Sequence, residues 1–210
     1  MTRSAFRGFF RTSLAFSGAL LAWAAPGTTA NAAVPVEVSH HAPAGTRADA
    51  ARGCVIVYFD LGETLVHTAE DAGISYMPGA AAYLRELRKR NIEVGLITNV
   101  PSSWGETDAE RAAALKKEVD RAWTGSAPFA WEDFGDRILT PRTEAERKPA
   151  PALWERARAD ANGCRLVYEA ETAEETAVAA SLCYVAYQVG QPSRPNYLPA
   201  RVIERLTHRS

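Results

Sequence analysis

Four short segments hold the residues best suited to chemistry, and each follows an apolar run. Asp60-Leu-Gly-Glu-Thr-Leu65 follows residues 54–59, and Thr98-Asn99 follows residues 93–97. Thr140 closes a short run from 137, with Lys148-Pro149 a few residues further on, and Glu169, Glu171 and Glu175 follow residues 165–168. A carboxylate can attack as a nucleophile. A hydroxyl and an ammonium can hold a phosphoryl group while its charge shifts. Clustered carboxylates suit Mg²⁺, which binds through oxygen.

The elements that must position these residues are readable from hydrophobic pattern. Residues 54–59, Cys-Val-Ile-Val-Tyr-Phe, form a continuous apolar run, as expected for a strand buried on both faces. Further strands are predicted at 93–97, 137–140, 165–168 and 184–189. Tyr83, Leu84 and Leu87 share a helical face from which Glu86, Arg88, Lys89 and Arg90 point away. Residues 108–123 place Ala112, Leu115, Val119 and Ala122 on one face. Residues 151–160 carry Pro151 in a first helical turn. Helices are also predicted at 173–182 and 198–206. Strands alternating with helices mean an α/β fold, a parallel sheet covered on both sides. In such sheets ligands bind beyond the carboxyl ends of the strands. The four segments therefore converge on one rim.

Composition narrows the setting. Of 210 residues 47 % are hydrophobic and the net charge is −1, too apolar and too balanced for a disordered chain or a nucleic-acid binder. Residues 1–32 read as a secretory signal: Arg3, Arg7 and Arg11, then an apolar stretch from Ser13 to Ala25, then Ala30-Asn31-Ala32. The stretch is too short to span a membrane, so an exported, periplasmic or secreted protein is expected. Losing that segment removes three arginines and no acid, which leaves a net charge of −4. Residues 33–53 read as a linker or N-terminal arm, in which His40-His41 is a solvated pair, and 54–210 as the folded domain. Cys54, Cys164 and Cys183 would mature in an oxidising compartment, where at most one intrachain bridge can form.

The set of motifs resembles the haloacid dehalogenase superfamily of phosphohydrolases and relatives. In that family the first strand ends in D-x-D-x-T, the second in Ser or Thr, a Lys follows, and an acidic motif ends the fourth strand. Asp60 matches the nucleophile, Thr64 the motif threonine, Thr98 the phosphate-binding hydroxyl and Lys148 the basic residue. Pro78-Gly79 through Asn99 is also similar to the family's P-G…T-N segment. The resemblance covers about residues 54 to 190. It implies a three-layer Rossmann-like sheet of five parallel strands in the order 5-4-1-2-3, with helices on both faces. It also implies an aspartate-based phosphomonoesterase with a Mg²⁺ cofactor at Asp60, the Gly62 carbonyl, Glu171 and Glu175. Substrate contacts would involve Thr64, Asn99 and Gly62. The substrate would be a phosphorylated small molecule or a bulky phospho-substrate. A shorter resemblance, Asp60 to Thr68, is to phosphatases of the polymerase C-terminal tail, and that substrate is not carried to an exported protein.

Two departures bear on catalysis. The family's second aspartate, its general acid–base, is Gly62 here. Loss of such a group costs about 10²–10⁴ in rate. Glu63 is either a substitute acid or an exposed capping residue. The acidic motif is carried by glutamates, either as Glu171 with Glu175 or as Glu169 with Ala170, and the first register is preferred. A reading therefore competes in which the chain keeps the fold as a catalytically impaired, exported binding protein. Short intervals at 65–78 and 99–148 imply no cap over the site. Trp104, Trp123, Phe129, Trp131 and Phe134 are expected to pack helices and loops, and His67 is expected in a loop. On this fold the three cysteines lie at the end of the sheet opposite the rim, with their pairing open.

Overall fold

The computed structural model describes residues 53–69 and 73–207. The secretory signal, most of the arm and His40-His41 lie outside the described residues. Among the described residues seven strands and five helices follow one another as β1 (Val55–Phe59), β2 (Val66–Thr68), β3 (Ile74–Tyr76), α1 (Ala80–Lys89), β4 (Glu93–Ile97), α2 (Asp108–Ala122), β5 (Ile138–Leu139), α3 (Ala152–Asp160), β6 (Arg165–Ala170), α4 (Ala173–Ser181), β7 (Val185–Gln188) and α5 (Ala200–Leu206).

Five of the strands form one parallel sheet in the order β5-β4-β1-β6-β7, the expected order. Every residue of β1 is buried, as its unbroken apolar run requires. Alternate residues feed two cores. Val55, Val57 and Phe59 pack with α1, α2 and α5, whereas Ile56 and Tyr58 pack with α3 and α4. The result is a three-layer α/β fold. No described helix is long and apolar enough to cross a membrane.

Local chemistry explains the helix borders. Thr107 caps α2 in a reciprocal capping box with Glu110. Arg88 and Lys89 fall in the last turn of α1, where they complement the helix dipole.

The sequence pattern missed one element. β2 and β3 form an antiparallel hairpin, too short for a periodicity signal, and its three-residue strands are held by other parts of the chain. Ile74 bridges to Trp123, and Thr124 N–H donates to Ile74 O at 2.8 Å. Tyr76 stacks on Phe129 and meets Trp123 edge-on. Phe129 also contacts Trp131 and Phe134. These aromatics are packing residues, as expected, and what they pack is the hairpin. His67 lies in β2 rather than in a loop. Between residues 99 and 148 lie α2, β5 and short 3-10 turns, with no added cap domain.

Cys54 and Cys164 form a disulfide across the start of the neighbouring strands β1 and β6, and Cys183 is an exposed thiol.

Candidate active site

Asp60 leaves the carboxyl end of β1, and its N–H donates to Glu169 O at 3.0 Å, extending the β1–β6 ladder by one bond. Its backbone is therefore fixed by the sheet. Lys148 Nζ donates to Asp60 Oδ1 at 2.5 Å and to Glu175 Oε2 at 2.8 Å, with Tyr168 Oη at 3.3 Å. Tyr168 donates to Glu175 Oε2 at 2.6 Å. Three segments distant in sequence thus meet around one buried ammonium. Burial pushes the Asp60 carboxyl up to about 6, against the opposing charge of Lys148, with Glu175 adding repulsion. Burial opposes the charge on Lys148, but Asp60 and Glu175 outweigh it and hold the ammonium above its ordinary value.

Asn99 clamps Lys148 from the neighbouring strand end. Its Nδ2 donates to Lys148 O at 3.2 Å, and Lys148 N–H donates to its Oδ1 at 2.9 Å. Asn99, expected to contact substrate, has its amide bonded to the Lys148 backbone. Thr98, just past β4, is buried, and its N–H donates to Leu139 O at 3.1 Å. Thr64 is fully buried, its hydroxyl accepts from Glu171 N–H at 3.1 Å, and Tyr197 donates to its carbonyl at 2.6 Å. Thr64 therefore ties the Asp60 turn to the acidic loop. Gly62 bridges to Val66 within the same turn.

The geometry separates the two acidic registers. Glu169 is fully buried on the α1 and α5 side, where Tyr83 Oη lies 2.7 Å from its Oε1 and Leu198 N–H donates to its Oε2 at 3.1 Å. Burial pushes its carboxyl up to about 8. Tyr83 Oη also lies 2.6 Å from Leu198 O. The single Tyr83 hydroxyl hydrogen therefore has two acceptors, Glu169 Oε1 and Leu198 O. Glu169 thus belongs to the core. Glu171 and Glu175 lie on the Asp60 side. Burial, then the charges of Asp60 and Glu175, push Glu171 up to about 7.

The donor set fits a divalent cation in part. Asp60, Glu171 and Glu175 are three carboxylates facing one ammonium, and Glu171 Oε2 is buried with no hydrogen-bond partner. Glu175 is already bound to Lys148 and Tyr168. Among the described residues no group of three or more His, Cys, Asp or Glu forms a ready-made metal cage. Mg²⁺ keeps several waters and takes only one or two carboxylates, and the Asp60 and Glu171 carboxylates lie close enough for their charges to act on each other.

Tyr168, Gln188 and Tyr197 were not anticipated. Gln188 Nε2 donates to Glu171 O at 3.0 Å. Tyr168 had a signal: in β6 it alternates with Glu169, so the two must face opposite sides of the sheet.

No protein-family model and no curated protein matches the chain. Solved structures similar to it include a candidate HAD-like phosphatase from Mesorhizobium loti, 14 % identical, covering 75 % of this chain and 87 % of that one at a TM-score of 0.48. Another is the D,D-heptose 1,7-bisphosphate phosphatase of B. bronchiseptica complexed with magnesium and phosphate, 17 % identical, covering 72 % and 97 % at 0.47. A third is an L-2-haloacid dehalogenase, 14 % identical, covering 64 % and 57 % at 0.42. By its own strand order, with Asp60 and Lys148 joined beyond the carboxyl edge of the sheet, the chain has a three-layer Rossmann-like α/β fold.

Proposed function

We propose that this chain is a phosphomonoesterase of the haloacid dehalogenase type that uses Asp60 as its nucleophile. The observation that carries the reading is the buried Asp60–Lys148–Glu175 arrangement at the sheet's carboxyl edge. Asp60 would attack phosphorus, and Thr98 and the Lys148 ammonium would hold the phosphoryl oxygens as charge moves onto them. Asn99 would aim Lys148, and Glu175 with Tyr168 would keep the ammonium in place. Asp60, Glu171 and the Gly62 carbonyl would hold Mg²⁺. When bound, the ion would neutralise phosphoryl charge and let Asp60 and the phosphate approach. The expected substrate is a phosphate monoester, and the uncapped rim is compatible with a bulky one.

Export is part of the proposal. The Cys54–Cys164 disulfide supports maturation in an oxidising compartment, and the N-terminal segment has the composition of a secretory signal.

The test is hydrolysis of an aryl phosphate by the purified chain, with and without Mg²⁺, beside Asp60→Asn. Metal-dependent turnover lost in the variant is expected. Equal background in both proteins would reject the reading. It would favour the competing one, a ligand-binding protein, for which Gly62 in place of an acid is the motivating observation.

A further inference from the structure

Lys148 reaches Asp60 from the connection between β5 and α3, residues 140–151. The Asn99 amide, from the connection between β4 and α2, grips its backbone. A second link joins the same two connections. Asp108, the first residue of α2, receives three guanidiniums. Arg142 Nη2 donates to its Oδ2 at 2.7 Å, Arg156 Nη2 to the same oxygen at 2.9 Å, and Arg111 Nη2 to its Oδ1 at 2.5 Å. Each arginine also holds the segment that leads to Lys148. Arg111 is buried, and its Nε donates to Thr140 Oγ1 at 3.1 Å, where that segment starts. Arg156, from α3, donates to Thr140 O at 3.0 Å and to Glu146 Oε2 at 3.3 Å. Arg142 belongs to the segment, and its own N–H donates to Glu146 Oε2 at 2.8 Å. Glu146 stands just before Lys148 in the chain, and α3 starts just after it. Lys148 is thus fastened on both sides by groups that meet at Asp108.

Burial would raise the Asp108 carboxyl, but hydrogen bonds from Arg142 and Arg111 and the charge of Arg156 outweigh it and hold the group at about 2. The hub is therefore an anion at neutral pH. Its charge separates three guanidiniums that would otherwise repel one another. An acidic residue in a first helical turn favours the helix dipole and often bonds only nearby, as Glu110 does with the N–H groups of Glu106 and Thr107. Asp108 bonds outward as well, to Arg142 and Arg156, which are 34 and 48 residues away.

We propose that Asp108 is a positioning residue for Lys148: it ties residues 140–148 to α2 and so keeps the lysine ammonium against Asp60. The tie runs through Arg142 and Arg156 to Glu146, in parallel with the Asn99 clamp on the Lys148 backbone. Its consequence for catalysis rests on the phosphomonoesterase reading, in which that ammonium holds the phosphoryl oxygens.

The test reads Lys148 directly. Its side chain is 2 % exposed, so acetic anhydride should acetylate it slowly, whereas Lys89 and Lys117 are exposed and serve as internal references. Acetylation of each lysine is followed by mass spectrometry in the native chain, with thermal unfolding recorded beside it. In Asp108→Asn, modification of Lys148 is expected to rise by about tenfold relative to the references, the scale of a lost hydrogen bond to a charged group. Arg142→Gln alters an exposed side chain and should give a smaller rise in the same direction. Asp108→Glu keeps the charge and should restore most of the protection. Glu110→Gln removes the capping-box acid of the same helical turn and should lower the melting temperature without exposing Lys148. An unchanged Lys148 in both Asp108→Asn and Arg142→Gln, or an equal rise in Glu110→Gln, would overturn the positioning role. In Asp108→Asn, kcat for an aryl phosphate should fall by a larger factor than KM rises, because the ammonium acts on charge that develops in the transition state. A change confined to KM would overturn that consequence. Increased Lys148 modification in a chain whose unaltered form has no Asp60-dependent turnover would overturn the phosphomonoesterase reading and leave the positioning of Lys148 standing.

Discussion

Tyr168 Oη donates to Glu175 Oε2 at 2.6 Å, and that same carboxylate oxygen receives Lys148 Nζ at 2.8 Å. A strand residue, a helix residue and a loop residue are joined at one oxygen. The tyrosine ring packs edge-on against Trp154, so its position does not depend on the hydroxyl. Burial, then the carboxylates of Glu175 and Asp60, hold the phenol in its protonated form, as a donor.

Tyr168→Phe keeps the ring and removes the donor. Glu175 then loses one of its two anchors and Lys148 is held less firmly. Binding of inorganic phosphate, measured by calorimetry, should weaken by about tenfold, the scale of a hydrogen bond to a charged group. Unchanged affinity would show that Lys148 holds Glu175 without help.

Asn99→Ala leaves the Lys148 N–H and C=O without their side-chain partners. A destabilisation of about 1–3 kcal/mol in denaturant unfolding is expected, together with a fall in turnover. Full activity in this variant would mean that the Lys148-Pro149 loop holds its own shape.

Glu169→Gln tests the buried acid. Its carboxyl is held near 8 in the fold, above its ordinary value of 4.5, so the folded state binds the extra proton between those limits. The stability this proton provides is complete below about 4.5 and lost as pH rises through about 8. Glutamine cannot ionise. The variant should therefore lose that part of the decline in melting temperature, and gain relative to the parent above pH 8. Parallel curves would show that Glu169 does not hold a proton in the fold.

Reduction tests the disulfide, which joins residues 110 apart. Breaking it should destabilise the fold by about 2–5 kcal/mol, seen as a lower melting temperature under reductant. Cys183→Ser should leave the melting temperature unchanged, because that thiol is exposed and unbridged. A thiol titration of the native chain should find one reactive group.

Much of the architecture is visible in one dimension. The run Val-Ile-Val-Tyr-Phe at 55–59 can only be a strand buried on both sides, and the alternation that follows it requires a parallel sheet. Because strand ends in such a sheet gather at one edge, Asp60, Lys148 and the acidic loop of Glu171 and Glu175 could be expected on one rim from the sequence, and Lys148 does bond both Asp60 and Glu175. Helix ends differed from expectation by a residue or two, as in α5, which starts at Ala200 rather than 198.

Tertiary structure decided the rest. The β2–β3 hairpin has three-residue strands and no usable period; its stability comes from Trp123, Thr124 and Phe129, far along the chain. The three cysteines were equivalent in sequence, and only strand adjacency selected Cys54 with Cys164. Asn99 and Thr64 were expected as substrate contacts from the family resemblance, and nothing in the local sequence shows that their side chains also tie distant segments together. Their partners, Lys148 and Glu171, lie 49 and 107 residues away. The role of a polar side chain depends on which groups share its buried space. Residue order specifies the strand that carries each side chain, whereas the packing of distant segments specifies its partner.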